Sequence, residues 1–488
     1  MHIEFGKFSP KVKIGLVSAS RNCFPRELAQ RRTDALAQAL SKTGTEFFTP
    51  SGKSAIIEDR ADAEEAARQM REAGCDAAVL YLGNFSPEIE DAYFVKKFGA
   101  ITMLIAAAEE SAESVFAARG DALCGLVSAT LAIEKRGLSK RVYIPENPLV
   151  DAARGAAEIA KFARIASIFK GVSNATIGLF GPRPRDFESC NYNTASLSSI
   201  GVEVEELGLF DLEEEIARIR KDEKSSASPN AKDMLLSNAE VPSDLLERLS
   251  VYERALLNFR ESKKLSGAAT QCWSRQERCC GHVPCFVNAR LAQKGFPVAC
   301  ENDAYSLVAE LVCQYASDSA AAMLDINHTI PADMLLGESV SPDDVVGLFH
   351  CGNVAPKAVR NPSVRHQLIM ARLMEAGKAP DITRGTLEGT IKPSPITLFQ
   401  IHGSGDKLRA YVCEGEFLDV DPRTFGSVGV AHVRGFMRFY RHCILGKFHH
   451  HAAVAFSHCG GEIFEALKLL GVSEIYTPSD RYAGENIF

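Results

Sequence analysis

Val12-Lys13-Ile14-Gly15-Leu16-Val17 is a short, mostly apolar and β-branched run, and it predicts a buried strand. From Arg26 to Thr43 the apolar positions recur at helical spacing. Thr45 to Thr49 reads as a short strand, and Ala61 to Gly74 as a helix closed by its glycine. Ala77-Ala78-Val79-Leu80-Tyr81-Leu82 is again a strand. This β-α-β-α-β rhythm implies a parallel sheet with helices on both faces. Ligands of such sheets bind beyond the carboxyl ends of the strands. Arg21, Asn22, Gly83 and Asn84 fall there, either facing a site or serving as polar turn residues.

Ala175-Thr176-Ile177-Gly178-Leu179-Phe180-Gly181 resembles the opening of the first unit and starts a second one. Lys221 to Lys232 is polar and Ser-rich and predicts an exposed loop. The last third changes character. Pro395 to Ile401 and Leu408 to Cys413 read as strands joined through His402-Gly403-Ser404-Gly405-Asp406, which is a hairpin signature. The expected fold is α/β, with two doubly wound parallel-sheet domains (1–172 and 173–340) followed by a β-rich C-terminal domain (341–488).

With 488 residues, 46% apolar and 24% charged, the chain can bury large cores in several domains. Its net charge of −7 and the lack of a basic stripe speak against nucleic acid and anionic membranes as partners. The N-terminal apolar run is too short and too charged for an export signal, and charges interrupt every longer apolar stretch. A soluble, cytoplasmic enzyme is therefore expected. The 14 cysteines then read as reduced thiols. Cys272, Cys279, Cys280 and Cys285 cluster, but without the paired C-x-x-C knuckles of a structural zinc site. No dinucleotide or P-loop glycine pattern occurs, so nucleotide binding is not expected.

Three segments carry candidate chemistry. In Gly295-Phe296-Pro297-Val298-Ala299-Cys300-Glu301-Asn302-Asp303-Ala304-Tyr305 an apolar strand ends in acids and a helix follows. Asp303 reads as the helix cap, whereas Glu301 stands where ligands bind. Ala320 to Asp325 is a second apolar run ending in a carboxylate. Two adjacent parallel strands, each ending in an acid, would aim Glu301 and Asp325 into one crevice, which suits Mn²⁺ or Mg²⁺. Two such acids can also divide proton transfer between them. The third segment is His449-His450-His451, followed by the strand-like Ala452 to Phe456. Three consecutive histidines offer at least one imidazole ligand, and a solvated polar turn is the alternative. His350 ends another apolar run and reads equally as a buried or a catalytic histidine.

Taken in order, Gln271-Cys272-Trp273, Gly281-His282-Val283-Pro284-Cys285 and Gly295 to Glu301, with Asp325 beyond them, resemble the L-fucose isomerase / L-arabinose isomerase family. His450-His451-Ala452-Ala453-Val454-Ala455-Phe456, His458 and a helix from Ile463 to Leu470 resemble that family's C-terminal histidine motif. The resemblance implies two α/β domains and a β-rich third, assembled as a homotrimer or homohexamer. It implies aldose–ketose isomerisation of an open-chain sugar of the L-fucose or L-arabinose type, through a cis-enediol, with Mn²⁺ or another divalent cation. Glu301, Asp325 and His450 become the metal ligands, and Glu301 and Asp325 also the acid/base pair. Gln271, His350, His449 and His451 become sugar contacts. His449 stands where an Asn is more usual, which leaves the ligand register within the histidine run open by one. Two other readings stand beside this one: a non-catalytic cytoplasmic sugar-binding or regulatory protein, and a metal-dependent sugar lyase.

Overall fold

The computed structural model describes residues 3, 5–222, 241–272, 275–369, 381–405, 407–472 and 474–478. The chain forms two compact units, one centred on Pro10–Lys170 and the other on Gly171–Ile463. The Ser-rich stretch beyond Asp222, Trp273 and Asp406 lie outside the described residues. No helix among the described residues is long and apolar enough to cross a membrane.

The first unit is a doubly wound parallel sheet. Its strands are β1 (Ile14–Ala19), β2 (Phe47–Phe48), β3 (Ile56–Ile57), β4 (Ala77–Leu82), β5 (Thr102–Ala107), β6 (Val142–Tyr143) and β7 (Leu149–Val150). They run in the order β2-β1-β4-β5-β6, with β3 also on β1 and β7 also on β5, all parallel. Every residue of β1, β4 and β5 is buried, as expected of strands covered on both faces. The predicted helices form at Arg26–Leu40 and Arg60–Glu72. The second starts on a capping box between Asp59 and Asp62, and Gly74 beyond it takes φ 72°.

The polar residues past β1 and β4 form a latch between the two strands. Asn84 is fully buried; its Nδ2 donates to Ser20 Oγ (2.9 Å) and Pro25 O (3.2 Å). The Arg21 guanidinium donates to Ser86 O (2.9 Å) and lies over the Phe85 ring. Gly83 is required here, because a Cβ would come within 2.7 Å of Ala29 Cβ on the helix below. Ser86 in turn donates its hydroxyl to Asp91, which is completely buried in the first turn of Glu88–Phe98.

The second unit holds two sheets. The first is parallel and four-stranded, β11-β10-β8-β9, from β8 (Thr176–Phe180), β9 (Glu203–Leu207), β10 (Gly267–Thr270) and β11 (Val298–Ala299). The second has nine strands: β12 (Ala321–His328), β13 (Val345–His350), β14 (Val359–His366), β15 (Arg384–Ile391), β16 (Ser394–Ser404), β17 (Lys407–Phe417), β18 (Ser427–His432), β19 (His451–Ala455) and β20 (Glu474–Tyr476). The expected hairpin is β16–β17, paired from Ser394↔Phe417 to Ser404↔Lys407. Because β17 also pairs with β18, the path β18-β13-β12-β19-β16-β17 returns on itself as a closed antiparallel ring of six strands. One apolar core joins the two sheets, from Phe180, Ala268 and Val298 to Leu324, Leu348, Leu398 and Val454.

One expectation fails here. The strands that precede Glu301 and carry Asp325 are not parallel neighbours. β11 pairs with β10 in the parallel sheet, whereas β12 pairs antiparallel with β13 and β19 in the ring. A continuous apolar run announces a buried strand but not the direction of its neighbours.

The latch makes a pH test. Burial raises the Asp91 carboxyl to about 7, while an unfolded Asp titrates near about 3.9. The folded chain therefore holds this proton more tightly than the unfolded chain. The resulting stabilisation is complete below about pH 4 and is lost as the pH rises through about 7, at a cost on the order of 4 kcal/mol. Asp91→Asn still accepts from Ser86 and should remove that slope. Thermal melts of the full chain at pH 5 and pH 8 should show a larger fall for wild type than for the variant.

Candidate active site

Two backbone devices assemble the site. The first is the turn after β11, where Glu301 and Asn302 both take left-handed conformations, φ 50° and 56°. Such consecutive non-glycine residues are uncommon and cost backbone energy, so local contacts must hold them. Asn302 N donates to Thr270 O (2.9 Å), Asp303 N to Cys300 O (3.0 Å), and the Asn302 amide to Gly181 O. The reversed chain then enters the helix Ala304–Ser317, with Asp303 as its N-cap, accepting from Ser306 N at 3.0 Å and Ser306 Oγ at 2.6 Å.

The second device is strand register. In the β12–β19 ladder Asp325 is the direct cross-strand partner of His451. Side chains of such a pair leave the same face of the sheet. The side chain of Gln400 on β16 fixes the β19 end, its amide donating to His451 O (2.9 Å) and Ser306 Oγ (2.9 Å).

His451 is the hub. Its Nδ1 lies 2.7 Å from Asp303 Oδ2, and its Nε2 lies 3.6 Å from both Glu301 Oε2 and Asp325 Oδ1. An ionised carboxylate only accepts, so Nδ1 carries the proton given to Asp303, and Nε2 faces the other two acids, where it can hold a second proton or a cation in its place. Burial alone would raise Asp303, but the neighbouring His449 and the bond and charge of His451 hold it well below the usual carboxylate range. Burial lowers the affinity of His451 for a second proton, yet its bonds to Asp303 and Cys190 and the surrounding acids lift it well above an ordinary histidine. Asp325 is pushed up to about 6 by burial, against the pull of His451. A buried imidazole therefore stands among three carboxylates, a setting that favours a second proton on the ring or a cation in that proton's place.

The donors fit a divalent cation. Ligand bonds of about 2.0–2.2 Å place neighbouring ligand atoms roughly 3.0–3.6 Å apart. The 3.6 Å separations at Nε2 suit that spacing and are too long for hydrogen bonds. A carboxylate behind the ligating imidazole is the usual second partner of a metal-bound histidine, and Asp303 occupies that position. His450 also belongs to the site: Asp325, His450 and His451 offer ligand atoms within 4.8 Å of one another. Asp325 and His450 are half-buried, whereas Glu301, Asp303 and His451 are buried.

The other sequence candidates sit as follows. His449 is buried; its Nδ1 accepts from His451 N (3.2 Å) and its Nε2 faces Asp303 Oδ2 at 3.6 Å. Burial lowers it to about 3 and His450 to about 4. His350, at the end of β13, accepts at Nδ1 from the backbone N–H groups of Gly352 (3.0 Å) and Asn353 (2.9 Å), which leaves Nε2–H as its donor. It lines a small cavity of about 10 Å³ with Glu301, Cys272, Cys285, Cys300 and Cys351. Gln271 and Glu301 stand two residues beyond the paired Ala269 and Ala299, on neighbouring strands. The Gln271 amide donates to Pro182 O (3.0 Å), while its buried Oε1 has no hydrogen-bond partner among the described residues. Cys272 donates its thiol to Glu301 Oε1 at 3.9 Å.

Sequence reading missed the second job of Asp303, and it missed Cys190 and Gln400 altogether. Asp303 looked like a cap and is one, and nothing in its surroundings reveals a partner 148 positions away.

Residues 15–173 match the model of the fucose/sulfoquinovose isomerase N-terminal domain. Residues 348–477 match the model of the L-fucose isomerase C-terminal domain. The chain belongs to the L-fucose isomerase family. The two matches flank the turn that carries Glu301 and Asp303 and together cover more than half of the chain. A search of curated proteins finds no match. Membership in the L-fucose isomerase family, together with the acid–histidine cluster, supports metal-dependent isomerase chemistry on a sugar.

The position of His451 makes a test: His451→Ala should cost more in affinity for a divalent cation than His450→Ala. Asp303→Asn should cost roughly 10- to 100-fold, the usual effect of losing the carboxylate behind a ligand. Titration calorimetry on the three variants checks the order.

Proposed function

We propose that this protein is an aldose–ketose isomerase that holds a divalent cation, Mn²⁺ foremost, between Glu301, Asp325 and a histidine of the 449–451 run. His451 is our choice for that histidine, with His450 at the open side of the group. The observation that carries this reading is the position of His451 Nε2, 3.6 Å from one oxygen of each acid and backed by Asp303.

The bound cation would supply Lewis acidity toward a sugar carbonyl and its neighbouring hydroxyl. The chain supplies the rest. Glu301 and Asp325 approach from different sheets, so a sugar lying between them meets a carboxylate on either side. In the cis-enediol route a proton leaves C2 and returns to C1, and these are the two groups placed to carry it. Gln271 Oε1 and the Nε2–H of His350 are an acceptor and a donor for sugar hydroxyls. The sugar is proposed to be of the L-fucose or L-arabinose type.

The test is ketose formation from an aldose panel, with and without Mn²⁺. Glu301→Gln keeps the size of the side chain and removes its charge. It should lower turnover by about 10²–10⁴-fold, the range of a lost general acid or base. Full activity of the variant, or activity indifferent to chelation, would sink the proposal. Two shorter fragments in place of an isomer would show a lyase instead.

We further propose assembly as a homotrimer or homohexamer. In the first unit the helix Ala122–Glu134 exposes Leu123 (54%), Val127 (63%) and Leu131 (55%), one apolar stripe at helical spacing, with Phe116 almost fully exposed nearby in sequence. A second copy of this chain is the occupant in keeping with the family. Val127→Lys should reduce the mass measured by light scattering while leaving the circular dichroism unchanged.

A further inference from the structure

The proposed centre leaves one buried donor beside His451 unused. Cys190 lies between β8 and the helix Thr194–Ser198 and is 1% exposed. Its sulfur lies within 4.8 Å of a ring nitrogen of His451. Cys190, Asp303 and His451 offer ligand atoms that all lie within 4.8 Å of one another, and all three residues are buried. A further buried nitrogen without a hydrogen bond, Nε2 of His449, faces the same Asp303 oxygen at 3.6 Å. Sulfur, carboxylate and imidazole thus meet where all three residues are buried.

We propose that Cys190, Asp303 and His451 form a second cation site, which takes a thiophilic dication such as Zn²⁺ or Cd²⁺ and excludes the catalytic cation by capturing His451. The exclusion rests on the function proposed above; the thiolate site itself does not. The two donor sets are matched in charge and differ in softness. Glu301, Asp325 and His451 give two negative charges on oxygen, and Cys190, Asp303 and His451 give two negative charges once the thiol is ionised. Each set neutralises one buried dication. The oxygen-rich set favours Mn²⁺ or Mg²⁺, whereas a thiolate selects softer ions.

Occupation of the second site moves two protons. Cys190 loses its thiol proton to solvent as the sulfur–metal bond forms. Nδ1 of His451 must give up the proton it now shares with Asp303, because a cation held by both groups takes that proton's place. With Nδ1 ligated, the proton of the neutral ring resides on Nε2, and the lone pair facing Glu301 and Asp325 is gone. One imidazole thus selects between two cations.

The experiment uses the full chain, stripped of metal and titrated with Cd²⁺. A weak chelator keeps the ion off isolated surface thiols such as Cys23 and Cys124, which are exposed. Wild type should gain the ultraviolet thiolate-to-cadmium absorption over the first equivalent, and X-ray absorption should find a single sulfur beside nitrogen and oxygen neighbours. Cys190→Ser should lose that absorption and bind Cd²⁺ at least roughly 10- to 100-fold more weakly, with the same thermal melt as wild type. Retention of the band in the variant, or a wild-type cadmium shell with no sulfur or several, overturns the site. Should the serine variant not fold, the sulfur count in wild type decides. Bound Mn²⁺, followed by electron paramagnetic resonance, should be released by one equivalent of Cd²⁺. Wild type that binds no Mn²⁺ but shows the one-sulfur spectrum defeats the active-site reading and leaves the thiolate site standing. Mn²⁺ binding without sulfur on cadmium defeats the thiolate site alone.

Discussion

The hydrogen bond between His451 Nδ1 and Asp303 Oδ2, 2.7 Å long and fully buried, is the constraint on which the site depends. It fixes the tautomer of the ring and therefore the direction of its lone pair. Asp303 also caps the helix Ala304–Ser317. A single carboxylate thus starts a helix, orients an imidazole and ties the four-stranded parallel sheet to the closed ring. Protonation of Asp303 would weaken both ties, and its neighbours keep it ionised.

Around that bond, backbone geometry does what side-chain packing alone could not. The left-handed pair Glu301-Asn302 turns the chain so that residues two apart, Glu301 and Asp303, both reach His451, one at each ring nitrogen. Strand register brings Asp325 to the same ring from the other side. The acids therefore converge from separate sheets, a geometry that two adjacent parallel strands would not produce.

Much of this was legible in the sequence. The first sheet followed from its β-α rhythm, and the hairpin β16–β17 from its glycine-rich turn, because both signals are local. Glu301, Asp325 and the histidine run announced themselves as polar groups at the edges of apolar runs. What stayed hidden was pairing across distance. Nothing near Asp325 says that its strand runs antiparallel to the one carrying His451. Nothing near Asp303 distinguishes a cap from a cap that also holds a histidine. The choice among His449, His450 and His451 turns on side-chain direction, which alternates along a strand and cannot be read from three identical residues. Arg21 and Asn84 show the opposite case: polar residues at strand ends that, in place of an evident site, bind their own backbone and each other's loops.

The ring closed by the β17–β18 pairing carries a further consequence. In an open sheet one strand can slide past its neighbour, and the error ends at the edge. In a ring, any displacement at one seam must be compensated at another before the circuit closes. A shift of one residue between β12 and β19 would send Asp325 and His451 to opposite faces. The alignment of these two side chains is thus enforced by the whole circumference rather than by its own few hydrogen bonds. Loops around the rim can change length and composition while this distant arithmetic keeps the acid and the imidazole opposite each other.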